Sequence, residues 1–437
     1  MYVLLTGAVH IVDIGRRHHT HPRIPTLMKH LSLLFTLLFS LGHAFAQQSL
    51  IFDTSHLRSL QLIVDDDVLQ PPVVELGKRW SMRIGFDEMS HDYRRFRYHI
   101  DHCEADWSVS EDIFESDFLA GLNDQLIEDY EKSFNTTQIY THYQLLLPNE
   151  DVRLLLSGNY RLTVYDEDDE DKTPLLQTEF CIVDRKLNLT ASVSGNTDID
   201  FQQQHQQLTL NIGYGALRVT DPQRELRTFV TQNRRKDMTV EVKPNLQNSN
   251  GVQFNHHRDL IFLGGGECHK FELLDVQRVN MGVDNMRWYD PYYHATLYEE
   301  FPTRHYSNEQ DQNGAFVMRN SDNEDNETTS EYVFVHFRLK TPPLPGGPVY
   351  VHGNWVNTWP SDEYKMEYNE QDGEYQAAVL LKQGYYDYRF LQIENGRGIS
   401  RYTDGDFYQT ENEYTVFVYY REPGGRYDKL VGFAAVK

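Results

Sequence analysis

Five ionisable side chains, His99, Asp101, His102, Glu104 and Asp106, crowd a short stretch of this 437-residue chain. Imidazoles and carboxylates at such density could hold a cation, and a pair such as Glu104 and Asp106 could exchange protons across a cleft. Either use requires the groups to converge on one point. The neighbours decide against it. Phe96, Tyr98 and Ile100 alternate with Arg97, His99 and Asp101, the period of a strand half buried against a core. On that strand His99 and Asp101 share one face while His102 and Glu104 share the other, so the five cannot meet around one ion. His142 is read as a strand residue with a satisfied imidazole. No GxSxG, HExxH or P-loop lysine occurs. Gly264-Gly265-Gly266 lacks the spacing and the following helix of a phosphate cradle and is read as a turn. No metal, cofactor or catalytic residue is expected.

The elements that would position these residues are strands throughout. Aromatic residues make up 13 % of the chain, with 28 Tyr and 23 Phe, the composition of sheets. Runs with period two fall at 60–64, 81–86, 95–102, 139–147, 158–165 and 177–183. They continue at 226–232, 238–242, 259–263 and 269–279, then through Tyr332–Leu339 and Val349–Val351. Tyr375, Ala377, Val379 and Leu381 share a face, as do Tyr386, Tyr388 and Phe390, and then Tyr414, Val416 and Val418. The six acids Asp166 to Asp171 repel one another and are read as an exposed hairpin loop, since they lack the central glycine of an EF-hand. Residues 320–330 are read as an exposed loop or linker.

Two stretches carry a family resemblance. The run His102-Cys103-Glu104-Ala105-Asp106-Trp107, the segment Asp129 to Asn149 and the segment Ser157 to Asp166 follow one another as in the plug proteins of the bacterial type IX secretion system. The resemblance extends from about Gln61 to the Tyr385–Phe390 strand. It rests on Asp101, His102, Cys103, Asp106, Trp107, Tyr130, Ser133, Asn135, Tyr140, Thr141, His142 and Tyr143, and implies that they are structural, with Trp107 anchoring the strand end and Asp106 or His102 bonding loop backbone at a sheet corner. It implies a periplasmic protein that binds and closes the inner mouth of the giant outer-membrane translocon barrel. The segment from Val349 to Trp359, with the Tyr-rich strands after it, resembles the early-set immunoglobulin-like sandwich of glycogen-binding modules. That second resemblance implies an alternative, a carbohydrate-binding protein using Trp355, Asn357 and Trp359.

Charge and targeting narrow the class. With 41 basic and 65 acidic residues the net charge is -24, which argues against a nucleic-acid partner or an anionic lipid surface. Met28-Lys29-His30, the apolar run Leu31–Leu41 and Ala44-Phe45-Ala46 read as a secretory signal peptide over 28–46. Residues 1–27 read as the product of an upstream start codon. No apolar run reaches the 18 or so residues of a membrane span. Cys103, Cys181 and Cys268 leave disulfide pairing open, and no CxxC spacing supports zinc or redox chemistry. The expectation is an all-β protein of tandem immunoglobulin-like or early-set β-sandwiches: 47–185, 186–325 and 326–437.

Overall fold

The computed structural model describes residues 49–90 and 93–437. The signal-peptide reading of 28–46 and the start-codon reading of 1–27 lie outside these residues. Strands make up 47 % of the chain and helices 5 %, so the all-β expectation holds.

In the first sandwich, one sheet runs in the order Ser49–Ile51, Leu176–Val183, Gly158–Asp166, Phe96–Cys103, Gln125–Leu126. Val73–Glu75 lies parallel beside Leu176–Val183. The facing sheet is Leu57–Val64, Met82–Glu88, Thr141–Leu147, Asp129–Lys132. Alternation explains the packing: Phe96, Tyr98 and Ile100 are fully buried, whereas Arg97, His99 and Asp101 are half-buried. They meet Phe86, Tyr143, Leu162 and Phe180 in one core. The acidic loop is a turn between two strands of this sheet, as expected. Its first acids are engaged, however: Arg94 reaches Asp166 at 3.0 Å, while Arg95 and Arg97 reach Glu167 at 2.8 and 2.7 Å.

The expected division of the remaining chain needs correcting. The second sandwich packs Asn188–Ser194, His205–Gly213, Gly251–Phe254, Leu246–Asn248 and Ile261–Leu263 against Thr239–Val242, Leu226–Gln232, Tyr414–Tyr420 and Lys429–Val436. Its central strand Leu226–Gln232 therefore pairs with the C-terminal part of the chain, in the register Val230↔Val416. The third sandwich is inserted into the second. It begins at His269–Glu272, ends at Arg397–Ile399, and takes in Val283–Tyr289, Tyr292–Leu297 and Phe316–Met318, all assigned from sequence to 186–325. A boundary at residue 325 thus cuts one sandwich, and the tail belongs to the second sandwich rather than the third. The reason is physical. Period two reports which face of a strand is buried but carries no information on the partner strand. Residues 320–330 also depart from expectation: Thr328 and Ser330 are buried, and Thr328 O accepts from Phe134 N at 2.8 Å.

Candidate functional site

The residues singled out in the sequence occupy two joints of the first sandwich, one against each of the others. At the end of Phe96–Cys103 the chain turns toward the second sandwich. His102 is buried, its Nδ1 2.9 Å from Ser110 Oγ and its Nε2 3.3 Å from Ser157 O, among the rings of Tyr160, Tyr427 and Phe118. Burial pushes its pKa down to about 4, so the imidazole is neutral, with Nε2–H donating to the carbonyl and Nδ1 accepting the serine proton. Glu104 accepts from Asp428 N at 2.9 Å and pairs with Arg421, which also donates to Asp428 Oδ1 at 2.8 Å. Asp106 accepts from Ser108 Oγ at 2.6 Å and faces Arg227 at 3.4 Å. His99 turns to the opposite face, between Asp101 and Asp124 at 3.3 and 3.1 Å; its bond to Asp101 leads in raising its pKa.

The five groups therefore do not converge, as the strand period requires. Glu104 and Asp106 each hold an arginine of the second sandwich instead of facing each other across a cleft. Trp107 stands at the strand end with φ of 67°. Asn159 pairs with both Cys103 and Cys181 on the strands flanking it, which places the two thiols two strand spacings apart, about 9–10 Å and beyond disulfide reach. All three cysteines are free and buried.

The second joint is built from the segment 129–143. Asp87, fully buried, accepts from Lys382 Nζ at 2.7 Å, from Tyr332 OH at 2.6 Å and lies 2.7 Å from His142 Nδ1. Lys382 and Tyr332 belong to the third sandwich. Burial alone would raise the Asp87 carboxyl, but the Lys382 ammonium and His142 hold it below its ordinary value. Burial pulls Lys382 down in turn; with three donors on the carboxylate, the charged pair prevails. Lys382 Nζ also stands 4.2 Å over the Tyr140 ring, and Tyr140 OH donates to Ser330 O at 2.8 Å. Glu331 accepts from Thr137 N at 2.6 Å and Gln138 N at 3.2 Å. Ser133 Oγ accepts from Tyr140 N at 3.0 Å, Asn135 takes the left-handed turn at φ 60°, and Thr141 is buried. Tyr143 stacks on Phe86 and donates to Arg94 O at 2.7 Å, with the exposed Tyr130 against its other side.

Sequence reasoning did not reach Asp87, Lys382, Tyr332, Glu331, Arg421 or Asp428. One signal was present: Asp87-Glu88 directly follows the apolar Ile84-Gly85-Phe86 in a strand that is buried along most of its length, and a charge inside a buried strand needs a partner.

Two further groupings bear on cofactors and ligands. Donor atoms of Cys268, Asp311 and Asp387 lie within 4.8 Å of one another. Arg389 Nη2 donates to Cys268 Sγ at 2.8 Å, and Asp311 accepts from Asn313 N at 2.8 Å. Arg389 thus engages the thiol, Gln312 N donates to Asp387 Oδ2 at 2.5 Å, and the buried Asp387 Oδ1 has no hydrogen-bond partner among the described residues. Trp355 is buried and donates to Asp387 O at 2.9 Å, Asn357 is buried, and Trp359 packs edge-on to Tyr350 and His352. These three form no exposed stacking platform for a sugar.

Residues 57–184 match the family model of the type 9 secretion system plug protein 1st domain. The chain is similar to a hypothetical protein from Parabacteroides merdae ATCC 43184 whose crystal structure has been solved. That likeness has a TM-score of 0.86 and 37 % identity, over 90 % of this chain and 99 % of the other. No curated protein matches the sequence.

Proposed function

This chain belongs to the family of type 9 secretion system plug proteins, and from that membership we propose that it is a non-enzymatic periplasmic stopper. It binds the giant outer-membrane translocon barrel on its periplasmic side and closes the inner mouth while no cargo passes. The family match over the first sandwich carries this reading. The two joints support it. A stopper must keep its shape against a wide opening, and jointed sandwiches that flexed on each other would leak. Here a buried ion pair ties the first sandwich to the third, and the Glu104–Arg421–Asp428 cluster ties it to the second. The buried Asp87–Lys382 pair holds one arrangement, because every alternative leaves one of its charges unpaired.

The test is to tag the exported protein, solubilise the envelope gently and identify what co-purifies. A very large β-barrel should be the main companion. Recovery of the protein alone, from cells that make the barrel, overturns the reading.

A further inference from the structure

Between the first and second sandwiches lies a cavity of about 220 Å³. Pro72, Val73 and Trp107 line it from the first, and Phe229, Phe417 and Tyr419 from the second. Phe229 and Tyr419 meet edge to face at 5.7 Å, making one firm wall. Size narrows what could enter: an apolar cavity of about 150 Å³ admits benzene, so this one has room for a larger ring such as indole.

Charge narrows it further. The ionised residues around the cavity are all engaged with each other or with neighbours. Arg227 holds Glu241 at 2.9 Å and Asp106 at 3.4 Å, Arg234 holds Glu413 at 3.1 Å, and Glu179 takes Arg161 at 3.1 Å and Lys236. Each of these charges already has an opposite partner, and an ionic occupant would break an existing pair. The lining suits an uncharged ring.

Trp107 supplies the independent sign that the cavity is built for use. A bulky residue at φ of 67° sits in the left-handed region, at a cost of roughly 1–3 kcal/mol. Three contacts enforce that conformation: Trp107 N donates to Glu104 O at 2.9 Å, Arg161 Nη2 donates to Trp107 O at 2.9 Å, and Lys236 Nζ stands 4.7 Å over the ring. The strain delivers an indole to the cavity wall, where a relaxed turn would aim it elsewhere.

We propose that this cavity is a receptor pocket for one uncharged aromatic side chain presented by a partner polypeptide. It rests on the stopper reading only in naming that partner as the translocon. An aromatic anchor in a preformed pocket is the usual source of most of the energy in a reversible protein contact.

Indole serves as the probe, with indole-3-acetate as its charged counterpart, titrated into the full mature protein and followed by NMR. Indole should saturate and shift residues around Trp107, and the acetate should bind at least about tenfold more weakly. Ala105→Leu, which fills the cavity from a buried position, should weaken indole about tenfold or more. Phe417→Ala should admit naphthalene as well and shows the effect without overpacking. Absence of saturable indole binding in the wild type overturns the pocket. So does unchanged binding in folded Ala105→Leu. Co-purification separates the two readings. If Ala105→Leu brings down the barrel as well as wild type, the pocket's role in docking is overturned and the stopper reading stands. If wild type brings down no barrel but binds indole, the stopper reading fails and the pocket stands.

Discussion

Asp87 meets no solvent, and its charge persists because Lys382, Tyr332 and His142 surround it. Lys382→Met leaves that carboxylate buried without its cation and should destabilise the protein by about 3–5 kcal/mol. Asp87→Leu with Lys382→Met should recover part of the loss, because no lone charge is then left behind. Urea unfolding of the three variants measures this, and a double variant worse than both singles would refute it. His102 gives a pH dependence. Its folded pKa is about 4, against 6.5 when exposed, so between these values the unfolded chain binds a proton that the native chain refuses. Its contribution is complete above pH 6.5 and lost as pH falls toward 4, by up to about 3 kcal/mol. The stability advantage of wild type over His102→Gln should therefore shrink across that window. A constant difference between pH 7 and pH 4.5 would show that the imidazole is not held neutral.

The strands themselves were legible in the sequence. Phe96–Cys103 and Leu226–Gln232 fall where alternation placed them, because half-buried strands display their period openly. The same alternation kept the five ionisable groups from converging, whereas the structural reading of His102 and Asp106 came from the family resemblance. What stayed hidden was pairing across distance: Val230 with Val416, Asp87 with Lys382, Glu104 with Arg421. Each joins residues far apart in the chain, and neither charge nor period marks such partners. The insertion of the third sandwich makes this testable. Thr410 Oγ1 donates to Gly265 O at 2.7 Å, so the two ends of the insertion lie side by side. A chain joining residues 186–265 directly to 410–437 should fold cooperatively by circular dichroism and thermal melting. The continuous piece 186–325, which lacks two strands of its sheet, should not. The opposite result would show that the C-terminal strands are dispensable.

At the scale of the molecule, an excess of 24 negative charges gives a field that must be complemented or screened wherever the protein docks. Binding to the purified translocon should therefore weaken from low to high salt, mainly through slower association. Equal association rates at both salt concentrations would remove charge from the account. The order of the strands also constrains how the protein comes into being. An emerging polypeptide can complete its first and inserted sandwiches early, but the second waits for the final residues, since Tyr414–Tyr420 and Lys429–Val436 close its sheet. Those late strands also bring Arg421 and Asp428 to Glu104. A prematurely ended copy therefore lacks both a finished sheet and the clasp to the first sandwich, so the last residues to arrive decide whether two of the three sandwiches are joined at all.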